Sequence, residues 1–257
     1  MCIRDRGLTA AINSFNKEGV TSSEVLNKLS AAAISAAVSE RDLIEGIKRS
    51  GSVAIQAGVT LNELVGVITA VQQKTARGGA VIGNSFKTIF TRLQSLEKLE
   101  TMQALGVQVT DASGAVLSAT GLIENLAKTL ASLPDARKLQ IAENLVGKFQ
   151  IAPFLAILDD YSSKTSTAIE ITKVAANATN QAYTRNVALN QTLSASINEA
   201  TVNLKELATT LGEIGVTDSL RNVLGFFNSM VEGIQKVLEG DGIGSKFAKG
   251  LVKGIGS

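Results

Sequence analysis

The sequence predicts an all-α protein with one small β-hairpin, in which a helical core is followed by a long coiled-coil-like helix. Three observations support this class. Helix-capping patterns precede several apolar runs of helical period. Aromatic residues make up only 4% of the 257 residues, so the core must be built mainly from Leu, Ile, Val and Ala, which suits helix-on-helix packing. Seven apolar residues in the C-terminal part of the chain follow a 3.5-residue period.

Two of the predicted helices begin with a Thr-x-x-Glu capping box, at Thr21 and at Thr60. Such a box favours a helix start because it satisfies two N–H groups there. Weaker versions with Asp in the fourth position begin at Ser39 and Ser132. The predicted helices cover residues 8–18, 22–37, 40–57, 61–76, 80–105, 119–132 and 134–159.

Glycine and proline mark several predicted helix ends. Gly58 and Gly106 stand where left-handed C-caps are expected, and Gly147 and Pro153 predict a kink in the helix over 134–159. The segment 107–118, "VQVTDASGAVLS", has alternating Val residues before a turn-like Asp-Ala-Ser-Gly and predicts the hairpin. A lone two-stranded hairpin is marginal in water, so we expect it to lie against the helices.

A long helix is predicted over residues 161–215, which contain no Pro and no Gly before Gly212. At 1.5 Å per residue such a helix would be about 80 Å long. The same register continued backwards places Ile169, Thr172 and Ala176 on a polar seam, so we expect partner helices beside it. The apolar seam, through which we expect self-association, consists of Leu193, Ile197, Ala200, Leu204, Leu207, Leu211 and Ile214.

The predicted organisation is therefore a helical core at 7–160, the long helix at 161–215, and a last region at 217–257. That last region reads as an amphipathic helix followed by a Gly-rich basic linker. No repeat of fixed period is evident by eye. The first six residues, "MCIRDR", resemble the translation of a sequencing adaptor, so we expect the natural reading frame to continue upstream.

Composition limits the chemistry that can be expected. The chain has no His, and its one Cys cannot form an internal disulfide or a Cys-rich metal site. Ordinary catalytic triads and zinc sites are therefore excluded, and carboxylates, Lys, Tyr, Ser and Thr are the main groups left for chemistry. We assign no catalytic, cofactor-binding or metal-binding residue. The net charge of +2 is too small to indicate a bulk electrostatic partner. No uncharged apolar run reaches the ~18–20 residues of a membrane span.

The stretch "TARGGAVIGNSFKTIFTRLQ" raises an alternative, because Gly78 and Gly83 give G-x-x-x-x-G and Lys87-Thr88 follow. A phosphate loop needs Lys and Ser/Thr directly after the second Gly and a strand before the loop. Here Lys87-Thr88 come three residues late and the preceding segment has a helical pattern. We instead expect the glycines to allow a close helix contact, with Phe86, Ile89, Phe90, Leu93 and Leu96 lining a core face. Likewise, the Asp159-Asp160 pair is expected to end one helix or cap the next.

A second alternative is contact with DNA or a membrane. Between Glu63 and Glu97 the chain has no acidic residue, and it has four basic ones, Lys74, Arg77, Lys87 and Arg92. Four phosphate contacts would weaken quickly as salt rises, and no recognised nucleic-acid motif accompanies them. A solvated face is the favoured interpretation.

Three blocks of the sequence resemble the core region of phage tail tape measure proteins. They are residues 49–94, which include the specific stretch "KTARGGAVIGNSFKTIFTRLQ", then 104–127 and 141–160. The resemblance covers about residues 11–215. It implies a virion structural protein without a catalytic site, which lies in the tail-tube lumen, templates tube assembly and sets tail length.

The same resemblance implies partners and locations. The partners that it implies are the tail-tube protein, tail assembly chaperones and baseplate proteins. The implied locations are the host cytoplasm during assembly and then the virion, with contact to host membrane or DNA only during genome ejection.

Overall fold

The computed structural model describes residues 9, 12–15, 19–181 and 184. The chain divides into two compact units, Met1–Tyr183 and Thr184–Ser257, and apart from Thr184 the described residues belong to the first. A helical turn at 12–14 comes before helices α1 (Ser22–Ser35), α2 (Glu40–Gln56), α3 (Leu61–Thr75), α4 (Gly79–Leu93), α5 (Leu96–Ala104), α6 (Ala119–Leu130), α7 (Asp135–Val146), α8 (Ile151–Ser162) and α9 (Thr167–Ala176). The predicted all-α class is confirmed.

Helix α3 is the centre of this unit. It packs against α1, α2, α4, α8 and α9, and most of its apolar side chains are at most 1% exposed. Helices α2 and α4 form the most extensive helix pair, and α9 on α3 is the next. Because a helix that is apolar on every side has to be covered on every side, the run from Leu61 to Val71 explains why α3 is surrounded.

The predicted capping boxes are present at both helix starts. The hydroxyl oxygen of Thr21 accepts the Glu24 N–H while the Glu24 carboxylate accepts the Thr21 N–H, and Thr60 and Glu63 repeat this exchange. Gly58 has a φ of +71° and ends α2 with two main-chain bonds, from its own N–H to Ile55 and from Val59 to Ala54. This is the expected left-handed C-cap. Gly106, with a φ of +81°, ends α5 in the same way.

Three local predictions were wrong or too simple. The predicted helix 80–105 is two helices, because α4 ends at Leu93 and α5 starts at Leu96, which is 72% exposed and does not join the core face. Ser132 caps nothing, since the N-cap of α7 is Pro134. The kink predicted at Gly147 is confirmed as a full break, with a bend of 118° between α7 and the segment Lys148–Ser162.

The predicted hairpin is smaller than expected. Within the described residues, segment 107–118 forms one isolated antiparallel bridge, between Thr110 and Val116, and no strand. The Asp111 carboxylate holds the turn by accepting from the N–H groups of Ser113 and Ala115 at 2.8 and 3.1 Å. The Asp side chain thus satisfies two main-chain donors at the turn.

The predicted continuous helix 161–215 was wrong over its first part. Helix α8 ends at Ser162, α9 covers Thr167–Ala176, and further turns follow before residue 181. Ala168, Ile171 and Ala175 are the buried positions of α9, not the predicted seam of Ile169, Thr172 and Ala176. Ser, Thr and Asn side chains around 162–166 and 177–180 favour turns because they bond to nearby main-chain groups. The core accordingly extends beyond residue 160 to include α9. Residues 185–215 lie outside the described part, so their helix stays a prediction.

An internal repeat is present that inspection of the sequence missed. The pattern Gly-Val-Thr-x-x-Glu occurs at Gly19–Glu24 and again at Gly58–Glu63, and both glycines have positive φ, +68° and +71°. Just after each of the helices that follow comes an Ala with positive φ, Ala37 with +52° and Ala76 with +51°. Each equivalent pair is 39 residues apart (19 to 58, 37 to 76). Helices α1–α2 and α3–α4 are therefore two copies of one helix-pair unit.

No single described helix is long and apolar enough to span a bilayer. The bent pair of Asp135–Val146 and Lys148–Ser162 passes a test of length and composition only when its two parts are counted together.

Candidate functional site

The glycine-rich stretch that suggested a phosphate loop is the contact between α2 and α4. The N–H of Gly79, at the first position of α4, donates to the Asp42 carboxylate at 2.8 Å. The other carboxylate oxygen of Asp42 accepts from Gln72 Nε2 at 3.0 Å. A helix N-terminus attracts anions, and here an anionic side chain of the protein itself is in that place.

Small residues allow α2 and α4 to approach closely. A β-carbon on Gly79 would overlap the carbonyl oxygen of Asp42, and one on Gly83 would lie 2.5 Å from the carbonyl oxygen of Gly46. Because 42 faces 79 and 46 faces 83, the two helices run in the same direction. The predicted role of these glycines in close helix packing is confirmed.

The remaining residues of the stretch do not converge on a phosphate position. The Thr88 hydroxyl donates to the carbonyl oxygen of Asn84, one turn back in the same helix, at 3.2 Å. Lys87 lies on the exposed side of α4, whereas Phe86, Ile89, Phe90 and Leu93 are fully buried on the other side. The rings of Phe86 and Phe90 have centroids 5.2 Å apart. This geometry gives no support to nucleotide binding at Gly78–Thr88.

Two of the four basic residues between Glu63 and Glu97 have partners within the protein. Lys74 forms an ion pair with Asp159. Arg92 donates to the carbonyl oxygens of Leu145 and Asn144, at 2.9 and 3.4 Å, at the C-terminal end of α7. A cation is favourable at that end of a helix because the carbonyls there have no helical partner. The ion pair neutralises the charge of Lys74, and the two bonds of Arg92 hold its guanidinium group against α7.

The two acidic residues Asp159 and Asp160 have different roles. Asp159 is exposed and pairs with Lys74, while Asp160 is 2% exposed and caps α9. The Asp160 carboxylate accepts from the Ser166 hydroxyl at 2.6 Å and from the N–H groups of Thr167 and Ala168 at 3.1 and 3.0 Å. The predicted capping role is confirmed for Asp160.

Helix α9 lies against both α3 and α1. A β-carbon on Gly66 of α3 would lie 2.5 Å from the carbonyl oxygen of Ala168 and would overlap the Thr172 hydroxyl. At the other end of α9, Lys28 Nζ of α1 donates to the carbonyl oxygen of Ala175 at 3.1 Å. The roles of Gly66 and Lys28 were missed from the sequence.

Two other kinds of candidate site in the described part of the chain are clusters of metal-binding side chains and cavities. No group of three or more His, Cys, Asp or Glu residues there could hold a metal ion. A shallow groove of about 190 Å³ is lined mainly by small and apolar residues of α6 and α8 and by Asp135 and Lys138 of α7. The residues predicted to mediate self-association, Leu193, Ile197, Leu204, Leu207, Leu211 and Ile214, lie outside the described residues.

A family model described as "Phage-related minor tail protein" matches residues 6–147, which is more than half of the chain. No solved structure matches.

Proposed function

Because the chain belongs to the phage-related minor tail protein family, we propose that it is part of a tape measure protein. In this role it lies in the tail-tube lumen, templates polymerisation of the tube, sets tail length and leaves the tail during genome delivery. Family membership is the observation that carries the proposal, since it places the chain in the phage tail. The all-α fold supports it, because a helix converts residue number into length at about 1.5 Å per residue.

The proposed role is mechanical and needs no catalysis. The absence of His and the single Cys agree with a protein that acts through length and contacts. Its proposed partners are the tail-tube protein, assembly chaperones, baseplate proteins and other copies of itself. We place self-association at the seam from Leu193 to Ile214, whose spacing suits a parallel coiled coil.

Tail length in the parent phage tests this proposal. Duplication of residues 194–214, which is three heptads, keeps the seam in register and is expected to lengthen the tail by about 30 Å. Deletion of the same block should shorten it by a similar amount. Tail lengths would be measured by averaging electron micrographs of purified particles.

A matched control weakens the core without changing the residue count. Gly79→Ala is expected to lower particle yield while the tails that do form keep their normal length. Unchanged tail length in both the duplication and the deletion variant would refute the ruler role, whatever the yield.

A further inference from the structure

Helix α9 is joined to the chain by turns on both sides. Residues 163–166 separate it from α8, and residues 177–180 follow its end. Its buried side chains are Ala168, Ile171 and Ala175, so it contributes one large apolar side chain to the core. Because breaks bound α9 on both sides, it is a separate element that can be exchanged as a unit while the helices around it keep their places.

The groove that receives α9 is built by residues far earlier in the chain. Gly66 of α3 provides the space for the main chain at Ala168, and Gln73 accepts the Thr167 hydroxyl at 3.2 Å. Lys28 of α1 binds the last turn through the carbonyl oxygen of Ala175. The groove thus binds a helix that has small residues on one side, and it adds a donor to a carbonyl oxygen of the last turn.

The N-terminal end of α9 is recognised in the same way. The buried Asp160, in α8, accepts from Ser166, Thr167 and Ala168. Asp160 and the groove residues Lys28, Gly66 and Gln73 all come before the 163–166 linker in the chain. The groups that they contact belong to α9 or to Ser166, directly before it. Consequently, every one of these contacts can form equally well between α9 of one chain and the groove of another.

We propose that α9 is exchanged between copies of this chain, so that the α1–α3 groove of one copy binds α9 of a second copy. The contacts in the exchanged pair are the same as in the single chain, and only the linker changes its conformation. Protein concentration and linker length therefore decide between the single chain and the exchanged pair. This link between copies is independent of the 193–214 seam and of the tape measure role.

A cross-chain disulfide tests the exchange in the full-length chain. On a Cys2→Ser background, one preparation carries Gln73→Cys and a second, distinguished by a size tag, carries Thr167→Cys. The two side chains are hydrogen-bonded in the structure, and at least one of them lies at the surface. The mixture is oxidised after incubation over a range of concentrations, and the tagged heterodimer is measured on non-reducing gels.

The expected result is a heterodimer yield that rises with concentration and exceeds the yield of a collision control. The control pairs Gln73→Cys with Ser113→Cys, because Ser113 is exposed and bonds to Asp111 within the 107–118 turn. A yield equal to the control at every concentration would overturn the proposal.

Two further variants separate exchange from other association. Deletion of Lys164 shortens the exposed linker, so that α9 reaches its own groove less easily, and should raise the dimer fraction in light scattering several-fold. Addition of Gly66→Ala to that deletion should remove the gain, because the β-carbon closes the groove to α9 of any copy. A folded deletion variant that stays monomeric would count against exchange. If the deletion variant does not fold, the disulfide pair alone decides. Failure here leaves the tail-length test unaffected.

Discussion

Asp42 holds Gly79 in two ways: its carboxylate accepts the Gly79 N–H at 2.8 Å, and its main chain fills the space that a β-carbon at 79 would need. One residue of α2 therefore fixes both the start of α4 and its distance from α2. The two helix-pair units of the repeat meet at this contact. Adding one methyl group at Gly79 tests whether this close contact forms.

Gly79→Ala is expected to destabilise the protein by about 3 kcal/mol, because the new β-carbon would lie 2.7 Å from the Asp42 Cα and neither helix main chain can move independently. Gly78→Ala is the matched control. A β-carbon there would lie 3.7 Å from the nearest Asp42 oxygen, so the loss should not exceed about 1 kcal/mol of N-cap preference. Urea denaturation followed by circular dichroism measures both. Equal effects at the two positions would show that α2 and α4 are not in close contact.

The adjacent residues Asp159 and Asp160 give a second matched pair. Asp160→Ala leaves the buried Ser166 hydroxyl and the Ala168 N–H without an acceptor, which should cost about 3 kcal/mol. Asp159→Ala removes an ion pair whose carboxylate is 77% exposed, so the loss should stay below about 1 kcal/mol.

Hydrogen exchange would locate the effect of these two substitutions. In the Asp160→Ala variant, the amides of α9 should lose protection before those of α3. Loss of protection spread evenly over the core would contradict a local capping role for Asp160.

The sequence was sufficient for the fold class because its strongest signals are local. A capping box such as Thr21–Glu24 involves four consecutive residues, and a C-cap glycine such as Gly58 acts on the turn before it. The long helix at 161–215 was overestimated because the absence of Pro and Gly does not exclude a break. Ser side chains can replace helical bonds with bonds to nearby groups: Ser163 donates to the main chain at the end of α8, and Ser166 donates to the Asp160 carboxylate at the start of α9.

The candidate site was harder to predict because its contacts join distant parts of the chain. Nothing near Gly66 indicates that α9, a hundred residues later, will lie against it. Asp42 looked like part of a weak capping box at Ser39, but its carboxylate binds Gly79 in a different helix. The 39-residue repeat was the one long-range signal in the sequence. It was overlooked because only the Gly-Val-Thr-x-x-Glu pattern and a few later positions are identical in the two copies.

The repeat leads to a prediction about stability. Ala37 and Ala76 occupy equivalent positions with φ of +52° and +51°, a conformation that costs an L-residue with a β-carbon about 1 kcal/mol. Both are exposed, so Ala37→Gly and Ala76→Gly lose no packing and should each stabilise the protein by about 0.5–1 kcal/mol.

Ala36→Gly is the control for this prediction, because Ala36 is buried and has a φ of −103°. That substitution should destabilise by about 1 kcal/mol through lost burial and added chain freedom. The midpoint and slope of urea unfolding compare the three variants. A loss of stability in both Ala37→Gly and Ala76→Gly would mean that these helix ends are not left-handed.

Stability should also depend on pH in the acidic range. Hydrogen bonds from the Thr21 N–H and hydroxyl lower the pKa of Glu24. A hydrogen bond from Lys98 lowers the pKa of Glu97. Hydrogen bonds from Ser113 lower the pKa of Asp111. A carboxyl whose pKa is lower in the folded state contributes stability above its ordinary pKa, 4.5 for Glu and 3.8 for Asp. That contribution is lost as the pH falls through the lowered value.

We therefore expect these three groups to contribute constant stability from neutral pH down to about pH 5, and to lose that contribution progressively at lower pH. Thr21→Ala removes the hydroxyl donor but keeps the stronger main-chain donor, so the pKa of Glu24 should rise only part of the way to its ordinary value. Glu24→Gln removes that titration altogether and should make the acidic decline shallower. Denaturation midpoints at several pH values, with NMR titration of the Glu24 carboxyl, measure both effects. A Glu24 pKa at or above 4.5 in the unsubstituted protein would show that the capping box is not formed in solution.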